Sequence, residues 1–125
     1  MKIKCGTDII EIDRIKESIE SLGEKFLNKV FTSREIEYCE SKKAQKYQHY
    51  AARFAAKEAI FKAISKFLNN KYDFSWKNVE ILNDNLGKPI INFIGIEFKQ
   101  ICSIDISISH CKQFAVANVV LEYKD

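Results

Sequence analysis

At 125 residues, 46% hydrophobic and 30% charged, the chain has the size and balance of one globular domain spanning residues 1–125. A net charge of +3 is too small to argue for nucleic-acid binding without a localised patch, and no apolar run is long enough to cross a membrane. The four cysteines form no C-x-x-C pair and the two histidines complete no zinc spacing, so reduced thiols in a cytoplasmic protein are expected.

The opening Met1-Lys2-Ile3-Lys4-Cys5-Gly6 lacks the apolar centre of a signal peptide, in keeping with a cytoplasmic location. Ile3-Lys4-Cys5 predicts a short strand running into Gly6-Thr7-Asp8, where Gly6 permits a close approach by another chain segment. Asp8, beside Ile9, Ile10 and Ile12, is either a strand-end aspartate or an acid held for a purpose. Asp13 is expected to cap a helix over residues 14–22, with Ile15, Ile19 and Leu22 inward. Arg14 falls in its first turn, where a positive charge opposes the helix dipole. Gly23 breaks the pattern, and Phe26, Leu27, Val30 and Phe31 predict a short helix on the core. Thr32 followed by Glu35 fits a capping box for a helix to about Ser41, and Lys42, Lys43 and Lys46 form a basic connector.

A long helix is predicted from about Gln45 to Leu68, ended by Asn69-Asn70-Lys71. Its centre, Arg53 to Ala63, contains no Gly or Pro. Phe54, Phe61, Ile64 and Phe67 would face a core, while Ala52, Ala56, Ala59 and Ala63 form a stripe small enough for another backbone to approach. Glu58 and Lys62 share a face, as an ordinary exposed pair or as a carboxylate whose desolvation is offset by Lys62 or by a metal.

The second half changes period. Val79 and Ile81 alternate, 83–87 turn, and Pro89 to Phe93 return as a hairpin strand. Residues 95–101 are expected to make one or two helical turns. Ser103 to Ser109 alternates strictly, His110-Cys111-Lys112 turn, and Phe114 to Leu121 return. Helices first and antiparallel strands mainly second make the class α+β.

Several of these stretches together resemble one family. Gly6-Thr7-Asp8-Ile9-Ile10-Glu11-Ile12-Asp13-Arg14-Ile15, Arg53-Phe54-Ala55-Ala56-Lys57-Glu58-Ala59 with Lys62, Gly87-Lys88-Pro89, and Ser107-Ile108-Ser109-His110 followed by Ala115-Val116-Ala117 resemble the motifs of the bacterial holo-[acyl-carrier-protein] synthases, the short trimeric phosphopantetheinyl transferases. They occur in the family's order and span nearly the whole chain. The resemblance implies the 4'-phosphopantetheinyl transferase fold and transfer of the 4'-phosphopantetheine arm of coenzyme A to a serine of apo-acyl carrier protein, in support of fatty acid biosynthesis. It implies Mg²⁺ held by Asp8 and Glu58, which with Lys62 are the expected catalytic residues. Arg53, Lys62, Gly87, Lys88, Pro89, Ser109 and His110 match positions that bind coenzyme A. Arg14 matches the basic position that receives the acidic carrier, with Phe26 as an apolar contact. The family trimer implies active sites shared between subunits, and the polar face from Ser103 to Ser109 as interface. The general base is left between a metal-proximal water and Glu11.

The chain departs from the family in two places. Where relatives run into a glycine-rich turn after Ala63, Ile64 to Leu68 continues helically, and Cys111 follows His110 where no acidic side chain is then present. A non-catalytic trimer binding a nucleotide or an acidic protein is the alternative; it would keep Arg14 and Lys62 without needing both Asp8 and Glu58. An RNA-binding domain would want aromatics interleaved on a basic sheet face, and the C-terminal strands offer Ser and Asp instead.

Overall fold

The computed structural model describes every residue of the chain except Lys71, which carried part of the expected helix stop and lies outside the described residues. Three alternating segments, β1 (Lys2–Glu11), β4 (Ile101–His110) and β5 (Phe114–Tyr123), form an antiparallel sheet in the order β1-β5-β4. The register sets Asp8 opposite Ala117, which lies opposite Ile108 on the far strand. With a period of two, one face of the sheet carries Gly6, Asp8, Ile10, Ala115, Ala117, Val119, Ile106 and Ile108. The central helix α4 (Lys46–Ile64) lies on that face. The alanine stripe of α4 is buried as expected, and it meets the sheet at Gly6. A Cβ on Gly6 would sit 2.0 Å from the Ala59 carbonyl oxygen, so this crossing requires glycine.

The helices α1 (Ile12–Leu22), α2 (Glu24–Val30) and α3 (Ser33–Glu40) wrap one end of α4. The capping box at the start of α3 is formed, with Thr32 and Glu35 bonding each other's backbone amides. β2 (Val79–Asn83) and β3 (Pro89–Phe93) make the separate hairpin. The class is α+β, as the sequence reading expects, with two apolar clusters that share Ile10 and Ile108 at their border.

Five local expectations are corrected. β1 is ten residues long rather than three, because β5 pairs with it throughout; Asp8 is therefore inside a strand, not at its end. α1 begins at Ile12, whose amide donates to the Gln113 carbonyl, so Glu11 is its N-cap residue and Asp13 lies in the first turn rather than capping. α4 ends at Ile64 and tightens into a 3₁₀ turn over Ser65–Phe67, four residues short of the predicted end at Leu68. Residues 95–100 form no helix; Gly95 turns with φ 70°, and Phe98 packs among Phe67, Phe74 and Phe93, which holds the segment in an irregular crossing. Phe54 and Phe61 are only half-buried: Phe54 stacks on Phe26 and Trp76, and Phe61 meets Phe74 at a tilt, along the rim of the core.

Candidate active site

The long β1 carries Asp8 onto the face that meets α4, and one helical turn separates Glu58 from Lys62. Lys62 Nζ donates to the Thr7 carbonyl at 2.9 Å and to Asp8 Oδ1 at 3.3 Å. The cation of α4 is thus spent on Asp8. Glu58 is half-buried and has no hydrogen bond or ion pair among the described residues. Burial, then the charge on Asp8, push its carboxyl above the usual range, against a smaller pull from Lys62.

Asp8 and Glu58 open on a cleft of about 860 Å³ whose walls include Glu11, Arg14, Phe26, Phe54 and Phe114. α1 supplies Arg14 to its rim and α2 supplies Phe26, so the carboxylate pair and the two expected carrier contacts share one cleft. Beyond Glu58 lies an apolar slot of about 200 Å³ between Phe61, Phe74 and Trp76.

The other residues expected to bind coenzyme A lie elsewhere. Arg53, five residues before Glu58, lies about 140° around the helix from it. It is buried, and its Nη2 donates to Asn83 Oδ1 at 2.5 Å. Asn83 Nδ2 in turn donates to the Gly87 carbonyl at 2.9 Å, and Pro89 is Asn83's strand partner, so Arg53, Gly87 and Pro89 meet through Asn83. Gly87 has φ 83°, the left-handed angle this turn needs. Lys88 Nζ is 3.5 Å from Asp105 Oδ1, tying the hairpin to β4. His110 closes β4 on the inner face, 5.6 Å ring to ring from His49, while Ser109 faces the opposite side of the sheet. The cleft that holds Asp8 and Glu58 has none of Arg53, Lys88, Ser109 or His110 in its walls.

Sequence reasoning missed Asn83, His49 and one buried network. Lys57 Nζ, 1% exposed, donates to Glu35 Oε1 at 2.7 Å, to the Val30 carbonyl at 2.7 Å and to the Trp76 carbonyl at 3.1 Å. Glu35 Oε2 accepts the Ile81 amide at 2.8 Å. Alongside, buried Glu80 accepts from Thr32 Oγ1 at 2.5 Å, from Arg34 Nη2 at 2.6 Å and from Asn92 Nδ2 at 3.2 Å. A lysine one turn after Arg53 in an alanine-rich helix was the only local signal. Its partners are 19 to 27 residues away.

No group of three or more His, Cys, Asp or Glu converges on a metal position among the described residues, and no helix there is long and apolar enough to cross a membrane. All four cysteines are free; burial pushes the Cys39 thiol up to about 12.

Residues 4–119 match the model of the 4'-phosphopantetheinyl transferase superfamily. The chain is similar to a holo-[acyl-carrier-protein] synthase of Ruminiclostridium cellulolyticum, 52% identical with 100% of this chain and 96% of that protein covered. It is also similar to one from Thermodesulfovibrio yellowstonii, 47% identical over 93% of this chain and 95% of that one. Among solved structures it resembles the Bacillus anthracis holo-(acyl-carrier-protein) synthase in complex with CoA (3',5'-ADP), at 36% identity and a TM-score of 0.79, covering 97% of this chain and 96% of that chain. With the family's four motifs placed on this sheet and around α4, the chain belongs to the 4'-phosphopantetheinyl transferase superfamily.

Proposed function

We propose that this protein is a holo-[acyl-carrier-protein] synthase that moves the 4'-phosphopantetheine arm of coenzyme A onto a serine of apo-acyl carrier protein, with Mg²⁺ held by Asp8 and Glu58. The observation that carries the reading is the paired, half-buried carboxylates in a cleft, one of them without a cation. Mg²⁺ favours oxygen ligands and takes one or two carboxylates, with waters and substrate phosphate filling the rest, so this donor set fits it. When bound, the ion neutralises charge on the diphosphate as the phosphoanhydride bond breaks.

The remaining work falls to side chains. Lys62, half-exposed and already beside Asp8, places a positive charge where a departing phosphate gathers negative charge, and is within reach to protonate it. Arg14 and Phe26 receive an acidic carrier at the mouth of the same cleft, which brings its serine to the carboxylate pair. Glu11, also in the cleft wall, and a metal-proximal water remain the two candidates to take the serine proton. Arg53, Gly87, Lys88, Pro89 and His110 bind the nucleotide end of coenzyme A, with Ser109 on the opposite face of the sheet.

We also infer a homotrimer with each site shared between two subunits. Two features support it. The nucleotide-side residues lie on a different side of α4 from Asp8 and Glu58. The outer face of the three-stranded sheet leaves Ile3, Ile9, Phe114 and Val120 exposed beside its Ser and Asp positions. A cytoplasmic location follows from this reading.

Intact-mass measurement of apo-acyl carrier protein, incubated with the protein and coenzyme A, tests the activity. A phosphopantetheinyl mass gain is expected with Mg²⁺ and none with a chelator or with Glu58→Gln. Coenzyme A binding without any mass gain would leave the non-catalytic alternative. Mixing Glu58→Gln with the double variant Arg53→Ala/His110→Ala, at a coenzyme A concentration where neither alone gives measurable transfer, tests the shared site: subunit exchange is expected to restore part of the activity, and failure to do so with both variants trimeric would place the whole site in one subunit.

A further inference from the structure

Between α3 and β4 the protein builds a stack of three rings, Tyr38, His49 and His110, of which only His110 belongs to a family motif. His49 lies one turn before Arg53 on α4, so both side chains leave the same face. Its ring meets Tyr38 edge-on at 5.6 Å and 81°, and His110 edge-on at 5.6 Å and 68°. Tyr38 also carries the Arg53 guanidinium, 4.1 Å above its ring. Arg53 in turn is buried, held at one end by Asn83, and its Nε is buried without a hydrogen-bond partner. Arg53 and His110, which come from different elements, are therefore joined through Tyr38 and His49.

We propose that His49 is a positioning residue for the nucleotide end of the site, whose ring, in contact with both Tyr38 and His110, sets the His110 imidazole beside the Arg53 guanidinium so that both grip the ribose 3'-phosphate of the donor. This inference rests on the proposed coenzyme A reading. The groups facing His49 are Tyr38 from α3, Lys42 from the following turn, Arg53 from α4 and His110 from β4. Burial, then the charges of His110, Arg53 and Lys42, push His49 down to about 4. At neutral pH it is an uncharged ring, adding an aromatic edge to the stack without a further positive charge among cations. A phenyl ring can do the same.

The test compares wild type, His49→Ala and His49→Phe, using coenzyme A and 3'-dephospho-coenzyme A as donors at pH 7. His49→Ala is expected to raise KM for coenzyme A about tenfold with kcat within about twofold, the pattern of a lost binding contact that is equal in ground and transition states. Its KM for 3'-dephospho-coenzyme A is expected to stay unchanged, and His49→Phe to match wild type with both donors. An unchanged KM for coenzyme A in His49→Ala overturns the inference while leaving the proposed function intact. Equal losses with both donors assign the ring a general packing role and also overturn it, as does His49→Phe behaving like His49→Ala. Absence of transfer by the wild type overturns the functional reading itself, and this inference with it.

Discussion

Lys57 and Glu58 are neighbours on one helix and have opposite surroundings. Lys57 is sealed in the interior with each of its three ammonium hydrogens directed at an oxygen: one carboxylate and two carbonyls. Glu58, one residue on, is half-buried against Asp8 and has no cation of its own, because Lys62 pairs with Asp8 instead. A buried charge that is fully paired fastens structure; a half-buried charge that is not paired costs stability until a ligand relieves it. The first ties the end of α2, the start of α3 and the Trp76 segment to α4. The second has the character of a binding group. The sequence singles out Glu58, by its spacing to Lys62 and by the family resemblance, and leaves Lys57 as one more charge on an alanine-rich helix.

Substitution sharpens the contrast, and the largest effect belongs to the sealed residue. Lys57→Met leaves Glu35 ionised and buried without its partner, and is expected to lose about 3–5 kcal/mol in urea unfolding. A loss below about 1 kcal/mol would mean that water reaches the pair. Glu58→Gln removes one of the two proposed Mg²⁺ ligands, and is expected to lower the transfer rate at least about 100-fold in Mg²⁺ while the protein stays folded. Gly6→Ala forces the β1–α4 crossing apart at Ala59 and should cost about 2–3 kcal/mol, read as a lower unfolding midpoint. The crossing also sets Asp8 against Glu58, so activity is expected to fall further than stability explains.

How much of this was legible depended on the distance to the partner. The alanine stripe, the Thr32–Glu35 capping box and the hairpin at 79–93 rest on local spacing, and the structure has all three. Asp8 was legible as an unusual acid, but its place inside β1 depends on pairing with β5 more than a hundred residues away. Lys57 was hidden for the same reason, and Glu35 was hidden behind its second role as a capping residue. The motif residues Arg53 and His110 were legible through the family resemblance. His49 and Asn83, which tie them to their surroundings, belong to no motif and became visible only as contacts.

The smallest effect is in acid. Burial raises the Glu80 carboxyl, but hydrogen bonds from Thr32, Arg34 and Asn92 more than offset this and leave it below the usual range. Its contribution is therefore complete above the ordinary glutamate value of about 4.3 and is lost as pH falls through the lower folded value. Glu80→Gln is expected to flatten the acid limb of the stability–pH curve, measured by urea unfolding between pH 2 and pH 6 (a range set by the ordinary carboxylate values, about 4). Glu58 has the opposite sign: its raised value means that the metal-free protein gains stability as this carboxylate takes up a proton.

That opposite sign supplies the most direct test of the division along α4. Wild type and Glu58→Gln are unfolded by urea at pH 7, first in chelator and then in excess Mg²⁺. In chelator, Glu58→Gln is expected to be the more stable protein, by less than about 1 kcal/mol once solvent screening is allowed for. Mg²⁺ should raise the wild type and leave the variant unmoved, reversing the order. A variant less stable than wild type in chelator, with no response of either protein to Mg²⁺, would make Glu58 a structural carboxylate like Glu35 and contradict the account.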